Sequence, residues 1–234
     1  MSIDNTMDHQ LAAAQALKYA DELRQLHEIE RAHRRGVEEA LRRLEESYAT
    51  TVRALAAALE LRDDATGEHA ERVTRLALRL AERVAPHLCR DPQLEYGFLL
   101  HDVGKIGIPD AVLLKEAPLD ADERRELERH PLLGERILAQ IPYLGGLARD
   151  VVVAHHERWD GAGYPLGLLG TGIPVAARVF ALADAFDAMT NDRPYRLALS
   201  TAAALGEIER EASRHFDPVL AAQFVTLFAD AEAA

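Results

Sequence analysis

The sequence predicts an all-α protein: a long N-terminal helical arm followed by a helical bundle. Residues 8–62 hold no proline and one glycine, Gly36, and are rich in Ala, Leu, Glu, Arg and Gln, all good helix formers. Further along, apolar residues recur every three or four positions, as in Val73, Leu76, Leu80 and Val84, and in Leu127, Leu133, Ile137 and Leu138. That spacing gathers them on one helical face. No stretch alternates apolar with polar residues long enough to make a strand.

Within the arm, Leu41, Leu44, Tyr48, Val52, Leu55 and Leu59 form one stripe, continued more weakly upstream by Leu23, Leu26, His33 and Val37. Glu38, Glu39, Arg42, Arg43, Glu45 and Glu46 cover the other faces. The stripe could dock on the arm's own domain or pair as a coiled coil. The expectation is an arm over residues 1–58 that forms a homodimer or passes on a signal, and a main domain over 59–234. In the main domain, glycine and proline break the chain into helical segments expected near 67–86, 92–102, 120–140, 145–157, 174–190 and 200–213. Val151, Val152 and Val153 have strand propensity, but their context favours helix.

Lys plus Arg number 27 and Asp plus Glu 39, a net charge of −12. Binding to a nucleic-acid polymer rests on cationic neutralisation of phosphates, which so acidic a chain supplies poorly. A small anionic substrate stays open if local cations dominate its site. The single cysteine, Cys89, excludes an internal disulfide and a cysteine-cluster metal site. No stretch nears the roughly 20 apolar residues that span a bilayer, and residues 1–20 lack the pattern of a signal peptide. The expected location is the cytoplasm, without membrane insertion.

Ten histidines are present, and five places combine ligand-type residues with motif-like surroundings. They are His69, His101 with Asp102, His130, His155 with His156, and Asp184, at intervals of 25 to 32 residues. Each interval fits one helix plus a connection, so successive helices could deliver ligands to one centre. Imidazoles and carboxylates without thiolates suit divalent iron, manganese, zinc or nickel. Seven ligands exceed one tetrahedral ion and fit two metals sharing a bridging carboxylate, for which Asp102 is the candidate. Two such ions, roughly 3.5–4 Å apart, can clamp a phosphate and hold a hydroxide as nucleophile. Any one of these motifs alone is weak; their ordered recurrence carries the reading.

His101, Asp102 and Lys105, then His155, His156 and Glu157, then Gly163, Tyr164 and Pro165 resemble the HD-GYP domain, a branch of the HD phosphohydrolases. The likeness runs over residues 59–224 and includes the stretches HDVGKIGIP, HHERWDGAGYP and DAFDAMTNDRPYR. It implies an HD-type helical bundle. It also implies a metal-dependent phosphodiesterase that opens cyclic di-GMP to linear pGpG, and onward to GMP. Carried over by position, it implies that His69, His101, Asp102, His130, His155, His156 and Asp184 bind two divalent ions, iron or manganese first, zinc or nickel otherwise. Asp102 is implied as the bridge and Lys105 as the contact to the scissile phosphate. Gly163, Tyr164 and Pro165 are implied to shape one lip of the site, with Arg193 and Arg196 binding phosphate or guanine.

One departure carries chemistry. Many such domains have a glutamate four residues before the first histidine, where it can hold a third metal; here that position is Ala65, and Asp64 is the nearest substitute. A two-metal site is therefore expected. Two other readings are a silent cyclic di-GMP receptor and a phosphohydrolase of another cyclic dinucleotide. Retention of the complete motif set favours turnover.

Overall fold

The computed structural model describes residues 4–63, 69–192 and 197–232. The chain divides into two compact units, residues 1–50 and 51–234. Helix α1 runs over Asp4–Asp63. Within the first unit it carries exposed Leu17, Tyr19, Leu23, Leu26, Ile29, Val37, Leu41 and Leu44. Its surface is laced by ion pairs one turn apart, such as Lys18 with Glu22 at 3.9 Å and Arg43 with Glu39 at 2.5 Å.

The second unit is a helical bundle: α2 (His69–Val84), α3 (Gln93–Leu99), α4 (Asp110–Leu113), α5 (Ala121–Leu127), α6 (His130–Leu138), α7 (Gly146–Ala154), α8 (Val175–Thr190), α9 (Thr201–Arg210) and α10 (Pro218–Glu232). Among the described residues there are two isolated β-bridges and no strand, and Val151, Val152 and Val153 lie in α7. The all-α expectation holds. Two details differ from it. The helix expected over 120–140 is two helices, because Pro131 has no N–H to give Leu127, whose carbonyl a continuous helix would need to bond. Pro131 instead sits in the first turn of α6, where that N–H is dispensable. The helix α10, not among the expected segments, closes the bundle.

The centre of the bundle is α8. It buries Ala176, Ala177, Val179, Phe180, Leu182, Ala183, Phe186 and Met189, so it is apolar almost all round, as a helix enclosed by others must be. Val73, Ala77 and Leu80 of α2, Phe98 of α3, Val151 of α7 and Phe224 of α10 complete one core with it. Glycines set the close approaches. A Cβ at Gly97 would meet the Ala148 backbone at 2.8 Å, and one at Gly104 would overlap the His130 carbonyl and the Gly134 amide. The 3₁₀ turn Val103–Gly107 therefore rests directly on α6, which brings Asp102 beside His130.

Phe180 joins the core to the site, stacking on Phe98 at 5.3 Å and lying 4.6 Å from the His101 ring. Truncation of a fully buried aromatic costs about 3–5 kcal/mol. Phe180→Ala should lower the unfolding free energy of residues 51–234 by that amount in urea denaturation.

Candidate metal centre

The seven residues proposed as ligands come together from separate elements. His69 opens α2, His101 and Asp102 follow α3, His130 opens α6, His155 and His156 follow α7, and Asp184 lies in α8. Their ligand atoms form two clusters, His69 with His101 and Asp184, and Asp102 with His130, His155 and His156. Asp102 faces both. Its Oδ2 is 3.2 Å from His101 Nε2, and its Oδ1 is 3.2 Å from His130 Nε2 and 3.7 Å from His155 Nε2.

The proton inventory decides what fits there. His101 Nδ1 donates to the Phe98 carbonyl at 2.9 Å, His130 Nδ1 to the Leu127 carbonyl at 2.8 Å, and His155 Nδ1 to the Val152 carbonyl at 3.0 Å. A carbonyl only accepts, so each Nδ1 holds the proton and a neutral ring presents a lone pair at Nε2. The Leu127 carbonyl is free for this role because Pro131 cannot use it. His130 Nε2 and His155 Nε2 then face each other at 3.2 Å, and Asp102 Oδ1 is buried with no hydrogen-bond partner. Lone pairs and a carboxylate oxygen converging without a proton between them repel one another, and a cation turns that repulsion into coordination. The donor set fits divalent metal ions.

Charge tuning agrees. Burial holds His156 well below the ordinary imidazole range, which keeps its ring neutral. Burial opposes ionisation of Asp102, but the Lys105 ammonium outweighs it and holds the carboxyl well below its usual range. Asp184 is depressed against burial by its hydrogen bond to His69. For His69, burial pulls down while Asp184 and Asp187 raise its pKa to about 10. Its Nε2 stands 3.4 Å from Asp184 Oδ1, so proton and metal compete for that gap.

Lys105 Nζ stands 2.8 Å from Asp102 Oδ2. A cleft of about 760 Å³ reaches His69, His101, Asp102, Lys105, His156 and Asp184, a size typical of small-molecule sites. Gly163, Tyr164 and Pro165 do not line it. The Tyr164 ring lies 4.7 Å from His156 and 6.3 Å from His130, against the buried cluster. Gly163 is required there, since a Cβ would overlap the backbone of Glu157 and Arg158. Arg193 and Arg196, and with them Asp64 and Ala65, lie outside the described residues.

Three supporting residues, Asp187, Arg72 and Asn191, were not singled out from sequence, and a fourth, Glu157, was named in the motif without a role. Asp187 accepts from His69 Nδ1 at 2.7 Å and is itself held by Arg72 at 2.9 Å and Asn191 at 2.9 Å. Helical spacing was the available signal: Asp187 follows Asp184 by three residues and Asn191 follows Asp187 by four. Glu157, 2% exposed, accepts from the amides of Leu166 at 2.7 Å and Leu168 at 2.9 Å, pinning the glycine-rich turn.

A model of the HD domain matches residues 53–220. The chain belongs to the HD domain family. It is 39% identical over 183 residues, 76% of its length and 48% of the relative's, to the cyclic di-GMP phosphodiesterase response regulator RpfG of Xanthomonas campestris. It is 36% identical over 178 residues to the 3'3'-cGAMP-specific phosphodiesterase 2 of Vibrio cholerae, covering 76% of this chain and 34% of that one. The expected likeness to HD-GYP proteins is thus borne out. The crystal structure of a cyclic GMP-AMP-specific phosphodiesterase of V. cholerae, V-cGAP3, superposes with a TM-score of 0.61 at 20% identity, over 78% of this chain and 49% of that one, and shares its fold. The chain spans about half the length of RpfG, and less of some other relatives.

A carboxylate that orients a metal-binding imidazole typically contributes 10–100-fold to metal affinity. Asp187→Asn should weaken binding of Mn²⁺ by about that factor in equilibrium dialysis.

Proposed function

We propose that residues 59–234 form a catalytic domain that hydrolyses cyclic di-GMP to linear pGpG, and onward to GMP. The observation that carries this is the Asp102 carboxylate, set between two histidine clusters with one oxygen buried and unpartnered. His69, His101 and Asp184 would hold one divalent ion and His130, His155 and His156 the other, with Asp102 shared. Iron or manganese suits these ligands, as do zinc and nickel. Bound there, two such ions would clamp the phosphodiester and lower the pKa of the attacking water.

The chain's own residues supply the rest. Lys105 is paired with Asp102 at the cleft wall, and its ammonium would offset charge developing on the scissile phosphate, as a preorganised cation does. Asp187 orients His69. Gly163, Tyr164 and Pro165 wall the His130 side, and Tyr164 fixes the His156 ring. Arg193 and Arg196 would meet the second phosphate or a guanine. The cleft, about 760 Å³, is in the size range of small-molecule sites.

A second substrate, 3'3'-cGAMP, is favoured by the V. cholerae relative named for it; it has the same pair of phosphodiester bonds and differs at one base. We further propose that the N-terminal arm, residues 1–58, pairs two copies through its exposed leucines, and that the protein works in the cytoplasm. Among the described residues no helix is long and apolar enough to cross a membrane.

Purified protein should carry about two metal ions per chain. With anaerobic Mn²⁺ or Fe²⁺ it should convert cyclic di-GMP to pGpG or GMP, read by chromatography. Asp102→Ala should abolish turnover, and a chelator should do so reversibly; full metal content with no product from either dinucleotide would refute the proposal. Deleting residues 1–50 should turn a dimer into a folded monomer, read as the mass in light scattering.

A further inference from the structure

The last turns of α1 carry two side chains that reach in different directions. Two residues apart on a helix, they point roughly 200° from each other. Glu60 accepts from the amide of Ala70 in the first turn of α2, next to His69. Arg62 reaches the other half of the site. Its Nη1 donates to the carbonyls of Lys105 at 3.0 Å and Ile106 at 3.1 Å, and its Nη2 to that of Ile108 at 2.8 Å. Its outer edge pairs with Asp110 at 2.5 Å.

These carbonyls stand at the end of the 3₁₀ turn Val103–Gly107, where that of Lys105 also accepts from the Ile108 amide at 3.0 Å. At the other end of that turn, Asp102 occupies the N-cap position without making a capping bond, because its carboxylate faces the histidines. Gly104 presses one side of the turn onto α6. Arg62 clamps the other, its planar fork taking the carbonyls of Lys105, Ile106 and Ile108 and the Asp110 carboxylate together.

We infer that Arg62 is a positioning residue for the phosphodiesterase site: by clamping this turn it holds the Lys105 ammonium over Asp102 and the cleft. The inference rests on the proposed reading of the site. It also makes the end of α1 part of the active centre, touching His69's helix through Glu60 and Lys105's turn through Arg62.

The test is a double-mutant cycle on the full chain with Mn²⁺, using cyclic di-GMP and the general diester bis(4-nitrophenyl) phosphate. If Arg62 acts through Lys105, Arg62→Gln should lower kcat about 10- to 100-fold in the native background. In a Lys105→Met background it should lower kcat less than about 2-fold, since residues acting as one unit are not additive. Bound metal and circular dichroism are measured on every variant; if Arg62→Gln does not fold, Arg62→Lys, which keeps the charge without the fork, takes its place. An equal fold-loss in both backgrounds, or no loss in the native one, overturns the inference and leaves the function standing. A native protein that cleaves neither diester overturns the function, and the inference with it.

Discussion

Three buried imidazoles give their Nδ1 protons to main-chain carbonyls and turn bare Nε2 atoms toward one carboxylate. Most of the second unit can be understood as the means of holding that arrangement. Each ring is locked by the helix end that carries it, through a carbonyl three residues earlier. The lock is cheap to build, since terminal carbonyls of a helix lack intrahelical partners. It is also directional, because it fixes the tautomer as well as the ring plane. Polar groups brought together in this way cannot be left uncompensated in a low-dielectric interior, and a divalent cation is the compensation their geometry fits.

The depth of the site varies: His130 and His155 are 1% and 2% exposed and do not reach the cleft, whereas members of both clusters, His69, His101, Asp102, His156 and Asp184, line it with Lys105. The His130 side is therefore the sealed one, with Tyr164 packed against His130 and His156, and the cleft side the open one. The sealed side owes its rigidity to backbone contacts that only glycine permits, at Gly104 and Gly163. The open side relies on charge instead: Arg72 and His69 on Asp187, Lys105 on Asp102. A water-exposed half with fixed charges thus lies beside a dry half with fixed rings.

The central helix α8 shows why an apolar core and a metal site can share one element. Its surface is buried almost throughout, yet it carries Asp184 and Asp187, which face α2 across His69. Both carboxyls stay ionised against their burial because imidazole and guanidinium partners meet them. Loss of either partner group would leave a charge in the core, which is why these acids depend on α2 being in place.

The all-α class, most helix positions and the seven clustered residues were legible in the sequence because they rest on short-range properties: propensity, apolar periodicity and motif spacing. The break between α5 and α6 was legible in principle at Pro131 but was outweighed by the periodicity on either side. Other features depended on distance in space alone. Asp187 and Arg72 stand 115 residues apart, and no local pattern declares that pairing. Arg62 and the Lys105 turn, 43 residues apart, are the same case. The division of the seven residues into two clusters sharing Asp102 likewise followed from which helix ends the core brings together. Residue type and spacing determined what chemistry the chain could perform; tertiary packing decided which atoms face each other, because hydrogen bonds and charge pairs act over a few ångströms whatever the separation along the chain.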